Sequence, residues 1–223
     1  TINEGRRKVQ IMKKYLGRVG FAVCILAAIQ LLRMGGKMLL FQFAEHTLMA
    51  DTIYSLIFML LCSMVMALLA QKKHPEVNLF PKKISKPYVV FSVLVLLLFL
   101  VTPFITLSTT VYDWLFLLYG ALITPIFEEL IFLAYLWKYF SFTKEPVTYI
   151  TVTFLFGIWH LGYIDTILWR TSLFHPDANI PEIMFWKVIT GLLFGIVLGA
   201  MRYKFKNAYA SFLLHCALNT FGG

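Results

Sequence analysis

The stretch TPIFEEL, Thr124–Leu130, sits inside an apolar run that begins near Trp114 and continues to Tyr139. A run of that length reads as a helix that crosses a bilayer. A carboxylate near the centre of such a helix costs about 2.5–3.5 kcal/mol on an insertion scale, so Glu128 and Glu129 together need a reason to be there. Polar groups at that depth face a bundle interior or a wet cavity, and they mark candidate functional sites.

The rest of the chain agrees with a membrane setting. Of its 223 residues, 60% are hydrophobic and 14% charged, against about 25% charged in an ordinary soluble domain. Apolar runs lie at Val19–Leu32, Thr52–Ala70, Tyr88–Leu107, Tyr112–Tyr139, Val147–Leu161, Pro181–Met201 and Ala208–Phe221. The expected fold is all-α: a multi-pass transmembrane helical bundle of about seven spans around a polar cavity at mid-membrane. Val147–Leu161 is short for a span, and Gly162–Ile180 reads as a long external loop, a lid or a disordered segment. The polar stretch KKHPEVNLFPKKISK, residues 72–86, divides an N-terminal part (1–87, the basic segment and two spans) from a core (88–223).

The net charge of +9 is a topology signal. Arg6, Arg7, Lys8, Lys13, Lys14 and Arg18 precede the first span, and Lys72, Lys73, Lys82, Lys83 and Lys86 follow the second. Lys138 and Lys144 follow the fourth, and Arg202, Lys204 and Lys206 fill the turn before the last. The alternate loops hold only Arg33 and Lys37, then nothing, then Arg170. This is the positive-inside pattern, which puts the N-terminus in the cytoplasm and the C-terminus outside. The partner it implies is a lipid bilayer, with no nucleic acid. The chain opens on Thr1, read as a fragment or trimmed product, and its basic start reads as a signal-anchor.

Cys24, Cys62 and Cys216 each fall in a span without a CxxC pair and read as small buried apolar residues. Gly191, Gly195 and Gly199 form a small-residue groove for helix packing. Trp186 and Lys187 read as interface anchors. The aromatic residues, 17% of the chain, read as lipid-facing or packing groups with no ligand role.

The polar residues left inside the spans are Glu128, Glu129, His160, His215 and Asn219. Counting about 1.5 Å per residue from the cytoplasmic helix ends puts Glu128 roughly 15 Å, His160 roughly 20 Å and His215 roughly 12 Å deep. Three helices thus bring titratable groups to one slab. His215 and Asn219 share a helix face, as do Phe156 and His160, being four apart. Glu128 and Glu129 diverge by about 100°, so one of them points into the cavity.

These residues resemble the CAAX-protease and bacteriocin-processing family (CPBP, Abi) of intramembrane endopeptidases, of which the Rce1-type CAAX endopeptidase is the prototype. Its motifs are EExxxR, FxxxH and HxxxN or HxxxD on successive helices. Here they read EELIFL (Glu128–Leu133), FGIWH (Phe156–His160) and HCALN (His215–Asn219). The resemblance runs from about Leu107 to Gly223, and it departs at one point: Leu133 stands where the motif has arginine. It implies peptide-bond hydrolysis within the membrane, acting on a peptide or a membrane-anchored protein. Glu128 would be the general base, His160 would hold the water, and His215 with Asn219 would donate to the oxyanion. Glu129 would support Glu128 or share its proton. A prenylated CAAX protein is the substrate the family name suggests; in a bacterial plasma membrane, a signalling peptide or bacteriocin self-immunity fits better.

Three alternatives stay open. Glu128, His160 and His215 make a ligand set for a divalent metal such as zinc, with an open position for water. Leu133 leaves room for a relative that keeps the fold as a non-proteolytic scaffold or immunity protein. A transporter with a carboxylate proton relay is the weakest reading, because no inverted repeat is visible.

Overall fold

The computed structural model describes residues 2–73, 79–107 and 110–222, with side chains over 9–69, 79–107 and 110–221. Thr1, Gly223, residues 74–78 of the dividing stretch, and the side chains of Arg6, Arg7, Lys8, Lys72 and Lys73 therefore lie outside what is described. All the regular structure described is helical. Six helical stretches are long and apolar enough to cross a membrane: Val9–Leu40, Leu48–Leu69, Lys86–Ile105, Val111–Phe140, Glu145–Phe174 and Ile180–Phe205. A shorter seventh helix, Ala208–Gly222, follows them. The chain is a multi-pass membrane helical bundle.

The elements are α1 (Ile2–Leu40), α2 (Leu48–Lys73), α3 (Lys86–Ile105), α4 (Val111–Leu118), α5 (Thr124–Glu129), α6 (Trp137–Phe140), α7 (Glu145–Trp159), α8 (Ile164–Phe174), α9 (Ile180–Phe205) and α10 (Ala208–Gly222). Local chemistry sets the ends. Thr110 and Asp113 form a reciprocal capping box that starts α4. Asn179 caps α9, and Pro181 occupies its first turn, where a missing N–H costs nothing. Lys206 takes a left-handed conformation, φ 59°, and ends α9 before the tight turn into α10.

The stretch from Val111 to Phe140 is one rod with two π-helical segments, Tyr119–Ile123 and Leu130–Leu136, on either side of α5. Pro125 explains the first. A proline inside a helix lacks an N–H and crowds the carbonyl four residues back, and a wider turn relieves the crowding. Thr124 sends its backbone N–H to the carbonyl of Tyr119, and its hydroxyl donates there too, at 3.0 Å. The Gly120 carbonyl is then left without a partner in its own helix, since residue 125 has no N–H to give.

Several expectations change here. The fifth span does not stop at Leu161: α7 passes through a tight 3-10 turn, His160–Tyr163, into α8. Most of the expected external loop is therefore helix, and only the segment around residues 175–179 connects it to α9. Arg33 and Lys37 are not loop residues either. Helix α1 runs on to Leu40, and both cations are buried on its inner face. Cys24 is exposed on α1, whereas Cys216 is buried and Cys62 half-buried.

The main core joins α1 and α2 to the rest through Ala22, Leu26 and Met59, packed with Phe127, Phe132, Phe156 and Trp159. Polar ties reinforce it: Tyr15 bonds Thr151 at 2.7 Å, Arg18 donates to the Tyr139 carbonyl at 2.6 Å, and Tyr135 donates to the Met66 carbonyl at 2.5 Å. Helices α7 and α9 make the most extensive pairing. Gly195 lets the Thr153 backbone close in and Gly199 receives the Tyr149 ring. Their partners then bond across, Thr153 to the Gly195 carbonyl at 3.1 Å and Tyr149 to the Ile196 carbonyl at 2.7 Å.

Candidate active site

Glu128 and Glu129 close α5, and both are buried, at 2% and 3% exposure. Consecutive placement on a helix sends them apart. Glu128 lines a cavity of about 900 Å³, together with His160, Tyr163, His215 and Asn219. Glu129 turns toward α10, where Ser211 donates to its Oε2 at 2.5 Å and His215 presents Nδ1 to its Oε1 at 3.1 Å.

His215, 1% exposed, stands between the two carboxylates. Its Nδ1 faces Glu129 and its Nε2 lies 3.8 Å from Glu128 Oε2. With Glu129 as the acceptor, the pairing is that of the Nδ1–H tautomer of His215, which leaves Nε2 toward Glu128 and the cavity. The other oxygen of Glu128 is fixed as well: Trp159 Nε1 donates to Oε1 at 3.1 Å and the Tyr163 hydroxyl at 2.9 Å. Those two donors offset part of the cost of burying the charge and leave Oε2 as the less occupied oxygen.

His160 begins the 3-10 turn after α7. Its Nδ1 donates to the Phe156 carbonyl at 2.8 Å, which leaves Nε2 as the unengaged nitrogen. Phe156 does a second job: its ring meets the His160 ring edge-on at 5.2 Å and the His215 ring at 6.0 Å. One phenylalanine thereby spaces both histidines. Gly191 on α9 supplies room on the far side, because a Cβ there would run into the His160 imidazole. Of the three expected packing glycines, this one serves the site.

Asn219 donates from Nδ2 to the Gly120 carbonyl at 2.9 Å. That carbonyl is the one orphaned by the π-helical segment and Pro125, so the TP of TPIFEEL and the N of HCALN are structurally linked. The amide's second N–H stays free for the cavity wall on which Asn219 lies.

All five expected site residues are thus brought to one place, four of them on the cavity and Glu129 behind His215. Trp159, Tyr163, Ser211, Phe156 and Gly191 join them. Trp159 and Tyr163, read from the sequence among the packing aromatics, both donate to Glu128. They lie four apart on one face and flank His160 in sequence, which is the signal that could have marked them. Lys187 lines the cavity too, beyond its expected role as an anchor.

At Leu133 the structure supplies an arginine from elsewhere. Arg202, buried on α9, donates from Nε to the Leu133 carbonyl at 2.7 Å and lies over the Trp137 ring at 5.4 Å. A metal ligand set does not form in the same way. Among the described residues no three His, Cys, Asp or Glu side chains are placed to hold a metal ion. Glu128, His160 and His215 all line the cavity.

Comparison with known families gives one match: residues 109–221 match Rce1-like, type II CAAX prenyl endopeptidase Rce1-like. No curated protein and no solved structure matches the chain. The matched segment, slightly more than half of the chain, carries α4 to α10 almost complete and every residue of the site just described. The chain belongs to the Rce1-like family of type II CAAX prenyl endopeptidases.

Proposed function

We propose that this chain is an intramembrane endopeptidase that hydrolyses a peptide bond of a peptide or membrane-anchored substrate with Glu128 as general base. The observation that carries this is the asymmetry of Glu128. Its Oε1 is held by Trp159 and Tyr163, while Oε2 looks across 3.8 Å to His215 Nε2 at the cavity wall. That gap is too long for a direct hydrogen bond and suits a water that reaches both atoms.

In this reading Glu128 takes a proton from the water as its oxygen attacks the substrate carbonyl carbon. His160 Nε2 accepts the water's other hydrogen and orients it. The free N–H of Asn219 donates to the developing oxyanion. The proton held by Glu128 then passes to the leaving nitrogen as the C–N bond breaks, giving a carboxylic acid and an amine. Glu129 and Ser211 keep His215 in its tautomer and orientation throughout, as the buried acid does for the histidine of a serine-protease triad. An N-terminus in the cytoplasm and a C-terminus outside, in a bacterial plasma membrane, complete the proposal.

A non-proteolytic scaffold or immunity protein would rest on Leu133. Arg202 donates to the main-chain carbonyl of that residue, a contact that does not depend on its side chain.

The test compares cells making the wild type with cells making Glu128→Gln at equal membrane abundance, their membrane and secreted peptides profiled by mass spectrometry. A defined peptide present only with the wild type supports the protease. Identical profiles, with Glu128→Gln rescuing a deletion phenotype, would sink it.

A further inference from the structure

Helix α1 lies outside the segment that matches the family, residues 109–221. Its inner face nevertheless reaches the turn that holds Glu128 in place. Gln30 and Arg33, three apart and so on one side of α1, are buried there at 6% and 2% exposure. Polar groups set this deeply in a membrane helix are retained where specific partners meet them.

Both side chains find partners on the turn after α7. Gln30 donates from Nε2 to the Trp159 carbonyl at 3.4 Å, and Arg33 donates from Nη2 to the Gly162 carbonyl at 2.7 Å. Arg33 Nε also donates to Gln30 Oε1 at 2.9 Å, which joins the two into one unit. The guanidinium lies 5.3 Å from the centroid of the Tyr163 ring. Its other N–H groups reach Asp165 and Thr166 at the start of α8, where Asp165 supplies the counter-charge. Gly162 completes the fit, because a Cβ there would run into the Gln30 side chain.

The same arginine belongs to an ionic network that ties α1, α2 and α8 together. Lys37 bonds Asp51 at 2.9 Å and reaches Asp165 at 3.5 Å, and Arg170 lies 3.9 Å from Asp51. What sets Arg33 apart is its bond to the turn itself. Residues 159–163 carry three groups of the site: His160 on the cavity wall, and Trp159 and Tyr163, the two donors to Glu128 Oε1.

We propose that Arg33 is a positioning residue of the active site. With Gln30 it holds the turn so that Trp159 and Tyr163 keep Glu128 Oε1 and leave Oε2 to the water. This rests on the endopeptidase reading, and it makes α1 part of the catalytic unit. A lysine cannot take the place of Arg33: a single ammonium on a flexible stem lacks the planar fork that spans Gln30, the Gly162 carbonyl and Asp165 at once.

The test uses the full chain in phosphatidylcholine nanodiscs, isotope-labelled at its five tryptophans. The Trp159 indole signal is assigned by its loss in Trp159→Phe. Hydrogen exchange of that indole N–H reads its bond to Glu128 whether or not any peptide is cleaved, and Trp137, also buried, is the internal reference. Cleavage is read on the peptide that distinguishes the wild type from Glu128→Gln. Arg33→Lys and Gly162→Ala disturb the contact from opposite sides, and Gly162→Ala carries the test if Arg33→Lys fails to fold. Each should speed Trp159 exchange about tenfold or more. Each should also lower kcat by about 10²-fold, with KM within about twofold of the wild type. Lys37→Gln cuts the ionic network without touching residues 159–163. It should lower thermal stability and leave Trp159 exchange and kcat near the wild type. Unchanged Trp159 exchange in both Arg33→Lys and Gly162→Ala overturns the proposal. So does exchange that rises equally at Trp137, which is general loosening, or an equal loss of kcat in Lys37→Gln. Faster Trp159 exchange in a chain whose wild type cleaves no peptide sinks the endopeptidase reading and leaves the hold of Arg33 on the turn standing.

Discussion

Arg202 donates its Nε–H to the carbonyl of Leu133 across 2.7 Å, from a different helix and 69 residues away in sequence. The π-helical segment that carries Leu133 follows directly on the glutamate pair, so this bond pins the turn that aims both carboxylates. Arg202→Leu should lower stability by about 1.5–3 kcal/mol, the cost of a lost hydrogen bond to a charged group. Leu133→Arg alone should also destabilise, by about 3 kcal/mol or more, since it forces a cation into a buried position of the hydrophobic core. The double variant, Leu133→Arg with Arg202→Leu, should recover at least half of the loss seen with Leu133→Arg. Thermal unfolding of the detergent-solubilised chain reads all three. If the double variant is no better than the worse single one, Arg202 does not occupy the role of the missing motif arginine.

Glu129 touches His215 and Ser211 and does not line the cavity, so its substitution should separate positioning from base chemistry. Glu129→Gln keeps the shape but can offer an N–H to His215 Nδ1, which favours the wrong tautomer. By analogy with the buried acid of a catalytic triad, kcat should fall by about 10²–10⁴-fold with little change in KM. Ser211→Ala, which leaves Glu129 charged, should fall far less. Equal losses in the two variants would mean that the tautomer is not what Glu129 controls.

Much of this site was legible in the sequence because helix spacing converts directly into shared faces. Glu128, Phe156–His160 and His215–Asn219 sit on three helices of the bundle, and Glu128, His160, His215 and Asn219 line one cavity. Arg202 was not legible, because its partner is a backbone carbonyl distant in sequence and no periodicity points to it. Trp159 and Tyr163 were hidden by abundance: in a chain so rich in aromatics, two more look like packing. The continuation of α7 into α8 was missed because the polar residues that suggested a loop, Asp165 and Arg170, are drawn into the ionic network with α1 and α2.

Gly191 carries a sharper expectation than its neighbours in the glycine groove. A methyl group there meets the His160 imidazole, whereas one at Gly199 meets the Tyr149 ring. Gly191→Ala should therefore cost cleavage heavily, about 10²-fold for a displacement near 1 Å, while the chain still folds. Gly199→Ala should act through α7–α9 packing and lower thermal stability first. The comparison needs both readouts on both variants, and a Gly191→Ala chain with wild-type activity would show that His160 does not have to sit where it does.

The failure of Glu128, His160 and His215 to converge as ligands leads to a solution test. Dialysis against EDTA and 1,10-phenanthroline should leave cleavage within about twofold of the untreated chain, since water activation here is assigned to side chains. Loss of activity on chelation, restored by zinc, would mean that the three groups rearrange around an ion, and the roles given to them would have to change.

Asn219 has two duties that one substitution cannot separate: its amide satisfies the Gly120 carbonyl and faces the cavity. Asn219→Ala should lose about 1 kcal/mol of stability, the net worth of the hydrogen bond to the part-buried Gly120 carbonyl, as well as activity. Pro125 offers the separation. Pro125→Ala restores an N–H at the position whose proline left Gly120 unpartnered, so the double variant Pro125→Ala with Asn219→Ala should regain stability relative to Asn219→Ala. Its activity should stay low, because the second amide N–H is still missing. If stability and activity return together, Asn219 serves only to hold the helix, and the oxyanion needs another donor. If neither returns, the Gly120 carbonyl is not what Asn219 protects.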